Sequence, residues 1–412
     1  MPCSALRFIN TMRLVIYNLF LSAFYFISTC TLVAQNLISG IVKDDITGEE
    51  IGYAHIFSKK GWVVATTNSD GFFQISLEEF SSLDTLLFSH IGFKTKSIGV
   101  TTLRFKAINI IELESEVTIL KEVLVSGKNP YDYFREALVL TKSRFVFPFS
   151  TKFYYRELVK DNDDYSKYSD AILTTNYTSS AKDISVGIDQ IRVLQLPREN
   201  DDVLDLVSPV EVSKILQYQY LNILDRFQGD NMFKYEFVIT GNPETPTKIV
   251  YIIKPKVKPV KNELLYNGWI VTENDIIQNI RIKTDSLCDW QRSMLGLTVG
   301  INSFEINLTY SELDSEIHLT QGIVDLSMTL ARKDFTQKNK YHSQFISIEP
   351  LKGMLTSIDK KNRLKHKTLY KHGSNYSYNF WENPNMPIAT NQELELLKRL
   401  GSDGAIEKHS KK

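Results

Sequence analysis

The sequence predicts a mainly β protein with some α structure: an N-terminal β-sandwich of seven short antiparallel strands, followed by a β-rich α+β domain with a curved antiparallel sheet. Between Ile38 and Leu113, short runs rich in Val, Ile, Phe and Thr are separated by turn residues about every eight to twelve positions. Between Asn231 and Ala331, longer runs alternate apolar and polar residues. Helical spacing is found mainly after Pro130 and Ser208.

Length and charge limit the possible functions. The 412 residues are enough for two or three domains, each with its own core. The 48 basic residues are balanced by 48 acidic ones. A nucleic-acid-binding protein normally has a basic face and a high pI. We therefore expect no nucleic acid among the partners.

The N-terminal segment predicts export. Arg7 and Arg13 precede an apolar run that has no further charge before Lys43. This is the pattern of a secretory signal peptide, here residues 1–35. A retained membrane anchor is the alternative, because the run is long enough to span a bilayer, and lipidation of Cys30 is a further one. The predicted location is the periplasm, or the outer membrane and cell surface.

The number of cysteines excludes two kinds of stabilisation. Removal of a signal peptide takes away Cys3 and takes away or exposes Cys30, which leaves Cys288. One cysteine forms no internal disulfide and no four-cysteine zinc site. Stability must then come from packed cores.

The predicted strands of the sandwich follow one another closely: ISGIVKD, IGYAHIFS, WVVATT, FFQISL, DTLLFSHIGF and AINIIELE. The stretch from Thr67 to Phe73 predicts a hairpin corner between two of them. In such a corner Asn or Asp binds nearby backbone, Gly71 takes a positive φ, and one of the two Phe residues enters the core.

Several motifs occur in a fixed order along this domain: Gly40–Asp44, Thr47–Ile51, Tyr53-Ala54, Thr67–Phe73 and Phe88–Phe93. Together they resemble the carboxypeptidase-regulatory-like domain, a transthyretin-like or Ig-like sandwich common in envelope proteins of the Bacteroidetes. The resemblance covers residues 36–115, about a fifth of the chain. It implies an accessory sandwich that acts as scaffold or adaptor and has no catalytic centre of its own.

Residues 116–150 are predicted to be a linker with a short helix that begins at Pro130. Within it, Glu122–Gly127 resembles the segment that follows such a sandwich in TonB-dependent receptors and contacts the energising protein. The residues that remain are too few for a plug and a barrel of the roughly 22-stranded transporter type. An edge strand leading into a linker is the simpler interpretation, and an accessory role in TonB-linked glycan or nutrient uptake is an alternative.

Residues 151–400 are predicted to be the β-rich C-terminal domain. Two strands flank a turn-rich loop at Val159–Ala171, and a helix follows with Ser208 as its cap and Glu211 three residues later. The alternating runs after it resemble the half-barrels of lipoprotein-sorting-type domains. That resemblance implies a concave face for a lipid or lipoprotein; the alternative is that this face is simply the core. A short helix is expected from Thr390 or Asn391, and residues 401–412 are predicted to be disordered.

Histidines are the first residues to consider for metal binding or general-base chemistry: His55, His90, His318, His342, His366, His372 and His409. None forms the His-Glu-x-x-His pair that puts two imidazoles on one helical face. His366 and His372 are six positions apart, which favours neither one helical face nor one strand face. Surface histidines are predicted instead of a zinc site.

Three further candidate sites, for calcium binding, for a hydrolase elbow and for a reactive thiol, are also poorly supported by their sequence context. Asp161, Asp163 and Asp164 lack the glycine and the closing glutamate of a calcium loop, so they predict a solvated turn. Gly296–Gly300 has Thr where a hydrolase elbow has Ser. Cys288 stands beside Asp289, which raises rather than lowers a thiol pKa, so a packed thiol is expected.

Two aromatic stretches, Phe153–Tyr155 and Tyr266–Trp269, are of the kind that stacks on glycans, although cross-strand packing is the simpler explanation. We therefore predict no catalytic, cofactor-binding or metal residues, no cofactor and no enzymatic activity. The predicted function is a binding or scaffolding module of the cell envelope. Candidate partners are another envelope protein, a glycan or a lipid; the oligomeric state stays open, and a hydrolase assembled from distant residues is the last alternative.

Overall fold

The structure is a computed structural model. It describes residues 37–58, 63–76, 85–90, 93–105, 107–115, 129–179, 183–196, 210–242, 245–284, 289–294, 296–313, 315–351, 354–377, 389–402 and 406–407. The predicted signal peptide, the segment Glu122–Gly127, and Cys30 and Cys288 lie outside these residues.

The described residues of the N-terminal domain form seven strands: β1 (Leu37–Asp44), β2 (His55–Ser58), β3 (Val63–Thr66), β4 (Phe72–Ser76), β5 (Thr85–Ser89), β6 (Lys96–Gly99) and β7 (Ile108–Leu113). They make two sheets, ordered β4-β1-β7 and β3-β2-β5-β6, around one buried core. The predicted seven-stranded sandwich is confirmed. The expectation of antiparallel strands throughout is wrong, because β7 pairs with β1 in parallel. The intervening chain passes through the other sheet, and this supplies the long crossover that a parallel pair needs.

The corner from Thr67 to Phe73 joins the two sheets. The side-chain Oδ1 of Asn68 accepts hydrogen bonds from the N–H groups of Asp70 (3.0 Å) and Phe72 (2.9 Å). Gly71 has a φ of 72°, and Phe73 is fully buried. The predicted turn chemistry is confirmed. The expected hairpin is wrong, since β3 and β4 belong to different sheets.

One antiparallel sheet dominates the rest of the chain. Its strands are β8 (Phe149–Asp161), β9 (Asp164–Tyr177), β10 (Ile184–Gln195), β11 (Tyr235–Asn242), β12 (Thr245–Pro255), β13 (Tyr266–Glu273), β14 (Ile276–Thr284), β15 (Trp290–Met294), β16 (Leu297–Leu313), β17 (Glu316–Arg332), β18 (Phe335–Leu351) and β19 (Ile406–Glu407). Their order is β11-β12-β13-β14-β16-β17-β18-β8-β9-β10-β19, with β15 paired to β16. The first strands after α1 therefore lie beside the last long one, β18.

Helices cover one face of this sheet, which we call the inner face. They are α1 (Pro130–Ser143), α2 (Val212–Leu216) and 3-10 turns at Gln217–Tyr220, Asn222–Phe227 and Gly229–Lys234. Phe134 of α1, together with Leu216 and Phe227, shares one buried core with the strands. In the described part of the chain, the face that a lipid carrier would need open is therefore occupied by the protein's own side chains.

Helix α1 begins and docks as its sequence predicts. Pro130 is in its first turn, and the side chain of Asn129 accepts a hydrogen bond from the Tyr131 N–H at 3.0 Å. Thr141 accepts one from the Ile277 N–H at 2.9 Å, which ties α1 to β14.

The long helix expected after Ser208 is wrong. Ser208 lies outside the described residues, and α2 has five residues, with Glu211 at its N-terminus and no side-chain cap. Leu221 then takes a φ of 61°, a left-handed conformation that a continuing helix does not allow. The hydroxyl of Tyr177 donates to the Leu216 carbonyl at 2.7 Å, which holds the end of α2 against the sheet.

The turn-rich loop expected at Val159–Ala171 is also wrong. Strands β8 and β9 continue to a two-residue turn, Asn162-Asp163, with φ values of 50° and 74°. Two successive positive φ angles match the right-handed twist of the flanking strands, so the ladder persists to its end.

The opposite face, which we call the outer face, carries helix α3 (Asn391–Ser402). Its Leu396 packs against Leu158 and Tyr168 of the sheet. The helix predicted from Thr390 or Asn391 is thus confirmed. The disordered tail is wrong in part, because α3 extends past Gly401 and β19 pairs with the edge of β10. Among the residues described, no helix has the length and apolar character to cross a membrane.

Candidate functional site

Three charged residues lie side by side on the outer face, one on each of three neighbouring strands. Asp170 of β9 is directly opposite Arg156 of β8 and Arg192 of β10. Arg192 binds both carboxylate oxygens of Asp170, at 3.1 Å and 2.6 Å. Asp170 and Arg156 expose 1% and 3% of their surface. A single carboxylate thus lies between two guanidinium groups, and a second negative charge is needed.

Helix α3 provides that charge. The carboxylate of Glu393 binds Arg156 in a short ion pair. The same carboxylate accepts a hydrogen bond from the Thr390 N–H at 2.7 Å, and the Thr390 hydroxyl accepts one from the Glu393 N–H at 2.9 Å. This is a capping box, which fixes the first turn of α3. The cluster holds two positive and two negative charges, as buried ions require.

Two tyrosines complete the cluster. The hydroxyl of Tyr154 accepts a hydrogen bond from Arg156 Nε at 2.9 Å, and the hydroxyl of Tyr168 donates to Asp170 at 2.8 Å. Burial raises the pKa of Tyr154 to about 12 against the opposing effect of Arg156, so the phenol keeps its proton at neutral pH. We call six residues the charge cluster: Tyr154, Arg156, Tyr168, Asp170, Arg192 and Glu393. Its groups bind one another, an arrangement that positions elements and supplies no nucleophile.

The sandwich approaches the charge cluster through Tyr53. Tyr53 has a φ of 62°, which is unusual for a bulky residue and marks a position fixed by its surroundings. Burial, and then the charges of Glu393 and Asp325, raise the pKa of Tyr53 to about 12; Arg156 and a hydrogen bond with Ser69 oppose them. Since these charges belong to α3, β17 and β8, Tyr53 brings the sandwich close to the outer face of the sheet. We call this place the domain junction.

A histidine and a carboxylate lie on the same face. Asp325 of β17 is directly opposite His342 of β18, and His342 Nδ1 is 2.8 Å from Asp325 Oδ1. Both side chains are partly exposed, at 28% for His342 and 54% for Asp325. The phenol of Tyr53 is protonated at neutral pH, so it is not an activated nucleophile beside this pair.

The inner face has a second polar feature at Glu157. Burial raises the pKa of Glu157 to about 8 against hydrogen bonds from the backbone of Leu369 and Tyr370, so this carboxyl is protonated at neutral pH. Its Oε2 accepts from the Leu369 N–H at 3.1 Å. Its Oε1, and the hydroxyls of Ser169 and Thr368, have no hydrogen-bond partner among the described atoms. Buried polar atoms of this kind are sites for ordered water.

The histidines do not all lie at the surface. His55 is 5% exposed in the sandwich core; burial, and then the nearby His90, lower its pKa to about 3. The rings of His366 and His372 are 4.8 Å apart, and the His366 N–H donates to His372 Nε2 at 3.3 Å. Spacing alone did not predict this contact, because a 3-10 turn at Leu369–Lys371 folds the segment back. No group of three or more metal-ligating side chains occurs within the described ranges, and His409 is outside them.

The acidic residues around the β8–β9 turn are held apart. Asp161 is buried and accepts a hydrogen bond from the Asn339 amide at 2.5 Å. Asp163 pairs with Lys340 at 2.6 Å on the surface. Asp161 is thus not part of the solvated turn that the sequence predicts, because the strand continues through it.

The remaining candidate residues lie in a turn or pack against other side chains of the protein. Gly296 is at the hairpin between β15 and β16, with a φ of 76°. Phe153 and Tyr155 belong to the inner core. Tyr266 makes a cation–π contact with Arg226, whose guanidinium is 4.6 Å from the ring centroid. These aromatic rings pack against the protein itself.

The sequence reasoning missed the charge cluster, although a signal was present. Arg156, Asp170 and Arg192 are charged residues inside strand segments that are mainly apolar or aromatic, YYREL, YSDAI and IRVL. A charge at the centre of a buried strand needs a partner, so their common strand context indicated mutual pairing. Glu393 gave no such signal, because it lies in a separate amphipathic helix.

Comparison with known proteins identifies one part of the chain. Residues 38–125 match the family model described as CarboxypepD_reg-like domain. This confirms the resemblance stated from the ordered motifs. No curated protein matches the chain.

Proposed function

Because the N-terminal sandwich belongs to the CarboxypepD_reg-like family, a domain that is typically non-catalytic, we propose that this protein is a non-enzymatic binding or scaffolding module of the cell envelope. In this proposal residues 1–35 direct export and are removed. The mature protein acts in the periplasm or at the outer membrane.

The observation that carries the proposal is the domain junction. The family domain is placed by Tyr53 against a charge cluster that also holds α3 to the large sheet. The charges of Glu393, Asp325 and Arg156 act on Tyr53, so this residue of the sandwich lies near the large sheet. Domains that lie next to each other in this way suit a module that presents a surface from each.

The chemistry of the junction supports a structural role. The carboxylates of Asp170 and Glu393 are bound by guanidinium groups, and that of Asp325 by the imidazole of His342. The phenols of Tyr154 and Tyr53 keep their protons at neutral pH. A hydrolytic site needs a free base near the nucleophile. The junction uses its ionisable groups for mutual pairing instead.

Cell fractionation tests the proposal. The full chain is produced in a Gram-negative host beside a matched variant that lacks residues 1–35. We expect the full chain in the periplasmic or membrane fraction, shortened by the signal peptide, and the variant in the cytoplasm. If the full chain stays in the cytoplasm and keeps its full length, the proposal is contradicted.

A further inference from the structure

The turn between β12 and β13 is both basic and apolar. The segment from Lys254 to Asn262, here called the basic loop, has four lysines and no acidic residue. All four lysines are exposed: Lys254, Lys256, Lys258 and Lys261. Val257 and Val260 lie between them and expose 42% and 68% of their surface. Exposed apolar side chains rimmed by charged groups are characteristic of an interaction surface when they form one contiguous patch.

Phe233 extends the same surface. It is 63% exposed in the 3-10 turn Gly229–Lys234. The Lys256 N–H donates to the carbonyl of Lys234 at 2.9 Å, which places this turn beside the basic loop. A large aromatic side chain thus joins the two valines in one exposed region.

The basic loop is held in shape by its neighbours. Glu263 binds Lys234 at 2.6 Å and accepts a hydrogen bond from the Val260 N–H at 3.0 Å. Asn262 accepts a hydrogen bond from the Gln291 N–H at 3.0 Å. Pro255 and Pro259 fix two further φ angles. The loop is therefore ordered before any partner binds, which lowers the entropy cost of binding.

The nearby acidic groups leave most of the lysines unpaired. Glu263 is engaged by Lys234, Glu236 is directly opposite Lys254 across β11 and β12, and Asp289 binds the Gln291 side chain. Asp230 is a further acid, in the first turn of the helix that holds Phe233. Lys256, Lys258 and Lys261 have no ion-pair partner among the residues described. Their positive charge is directed to solvent.

We propose that the basic loop docks the protein on an anionic lipid bilayer. The lysines bind the anionic head groups, and Val257, Val260 and Phe233 enter the boundary between head groups and acyl chains. Lysine stems reach past apolar neighbours to the charged layer. A soluble polyanion would use the lysines but would gain nothing from the exposed apolar side chains, so the mixture of the two favours a lipid surface.

Vesicle co-flotation of the purified protein tests the proposal. The probes are vesicles of phosphatidylcholine alone and of phosphatidylcholine with phosphatidylglycerol, at low and at physiological salt. We expect binding to the anionic vesicles, weaker binding as salt rises, and little binding to the neutral ones. The variant K256S/K258S/K261S is expected to bind on the order of a hundredfold more weakly, because each lysine near an anionic surface contributes about fivefold.

Two further variants separate the possible partners. V257S/V260S keeps every charge, and we expect it to lose binding as well. K360S/K361S/K365S removes three exposed lysines from another surface and should bind like the wild type. The proposal is overturned if the wild type does not bind the vesicles or if K256S/K258S/K261S binds as well as the wild type. It is also overturned if V257S/V260S binds like the wild type, a result that would point to a soluble polyanion. Purified protein is used throughout, so failure here leaves the fractionation result unaffected.

Discussion

Arg156 and Glu393 form a buried ion pair although 237 positions separate them in the chain. Arg156 belongs to the first long strand of the large sheet, and Glu393 to the last helix. The pair therefore joins the two ends of the C-terminal domain. The phenol of Tyr53 in the sandwich lies close enough for both charges to shift its pKa.

Replacement of Glu393 by Gln should destabilise the domain strongly. It removes one of two negative charges that face two guanidinium groups, and breaking a buried ion pair costs about 3–5 kcal/mol. Gln still serves as the partner residue of a capping box, so the loss reports the charge and not the cap. Urea unfolding measures the difference. The exposed Glu395→Gln variant on the same helix is the control and should change the free energy of unfolding by less than about 0.5 kcal/mol. Equal effects of the two substitutions would show that the pair contributes no net stability.

The cap of α3 is tested at Thr390. Its hydroxyl accepts a hydrogen bond from the Glu393 N–H, and loss of such a cap costs about 0.5–2 kcal/mol. Thr390→Val keeps the shape of the side chain but removes the acceptor, whereas Thr390→Ser keeps the acceptor and removes a methyl group. We expect the Val variant to be the less stable of the two in urea unfolding. The opposite order would mean that the methyl group, not the hydrogen bond, is what matters at this position.

The buried ion pair shows where prediction from the sequence ends, because its two residues are 237 positions apart. The turn at Asn68 and Gly71 was predictable, because its hydrogen bonds join residues within four positions of one another. The alternating strands were predictable for the same local reason. The pairing of Arg156 with Glu393 was not, since no pattern in either segment specifies the other. The left-handed conformation of Leu221, which divides the expected helix, was not predictable either. The residue at this position is neither glycine nor asparagine, the types that usually indicate such a conformation.

Glu157 should make stability depend on pH. Its folded pKa of about 8 is above the unfolded value near 4.5, so the folded protein holds a proton that the unfolded chain releases. The contribution of Glu157 is fully present below pH 4.5. It is lost as pH rises toward 8, at about 1.4 kcal/mol per pH unit. Glu157→Gln removes this dependence and keeps a polar group of similar shape. Urea unfolding at intervals from pH 5 to 8.5 should therefore show that the free energy of unfolding of the variant increases relative to that of the wild type as pH rises. Parallel curves would mean that Glu157 is already ionised in the folded state.

Gly71 and Gly48 provide a matched pair of substitutions in the sandwich. Their φ angles are nearly equal, 72° and 71°, so alanine meets the same left-handed strain at both, about 1–2 kcal/mol. Their surroundings differ. A Cβ at Gly71 would lie 2.8 Å from the carbonyl oxygen of Val42, whereas a Cβ at Gly48 meets nothing within 4 Å. We expect Gly71→Ala to destabilise the sandwich clearly more than Gly48→Ala, because the backbone of β1 cannot move away without disturbing its pairing with β4 and β7. Hydrogen exchange of the sandwich amides in the full chain measures this difference, and equal protection in the two variants would refute the steric role of Gly71. A Gly71→Ala protein that folds normally yet fails to bind a partner would instead make the corner a binding site.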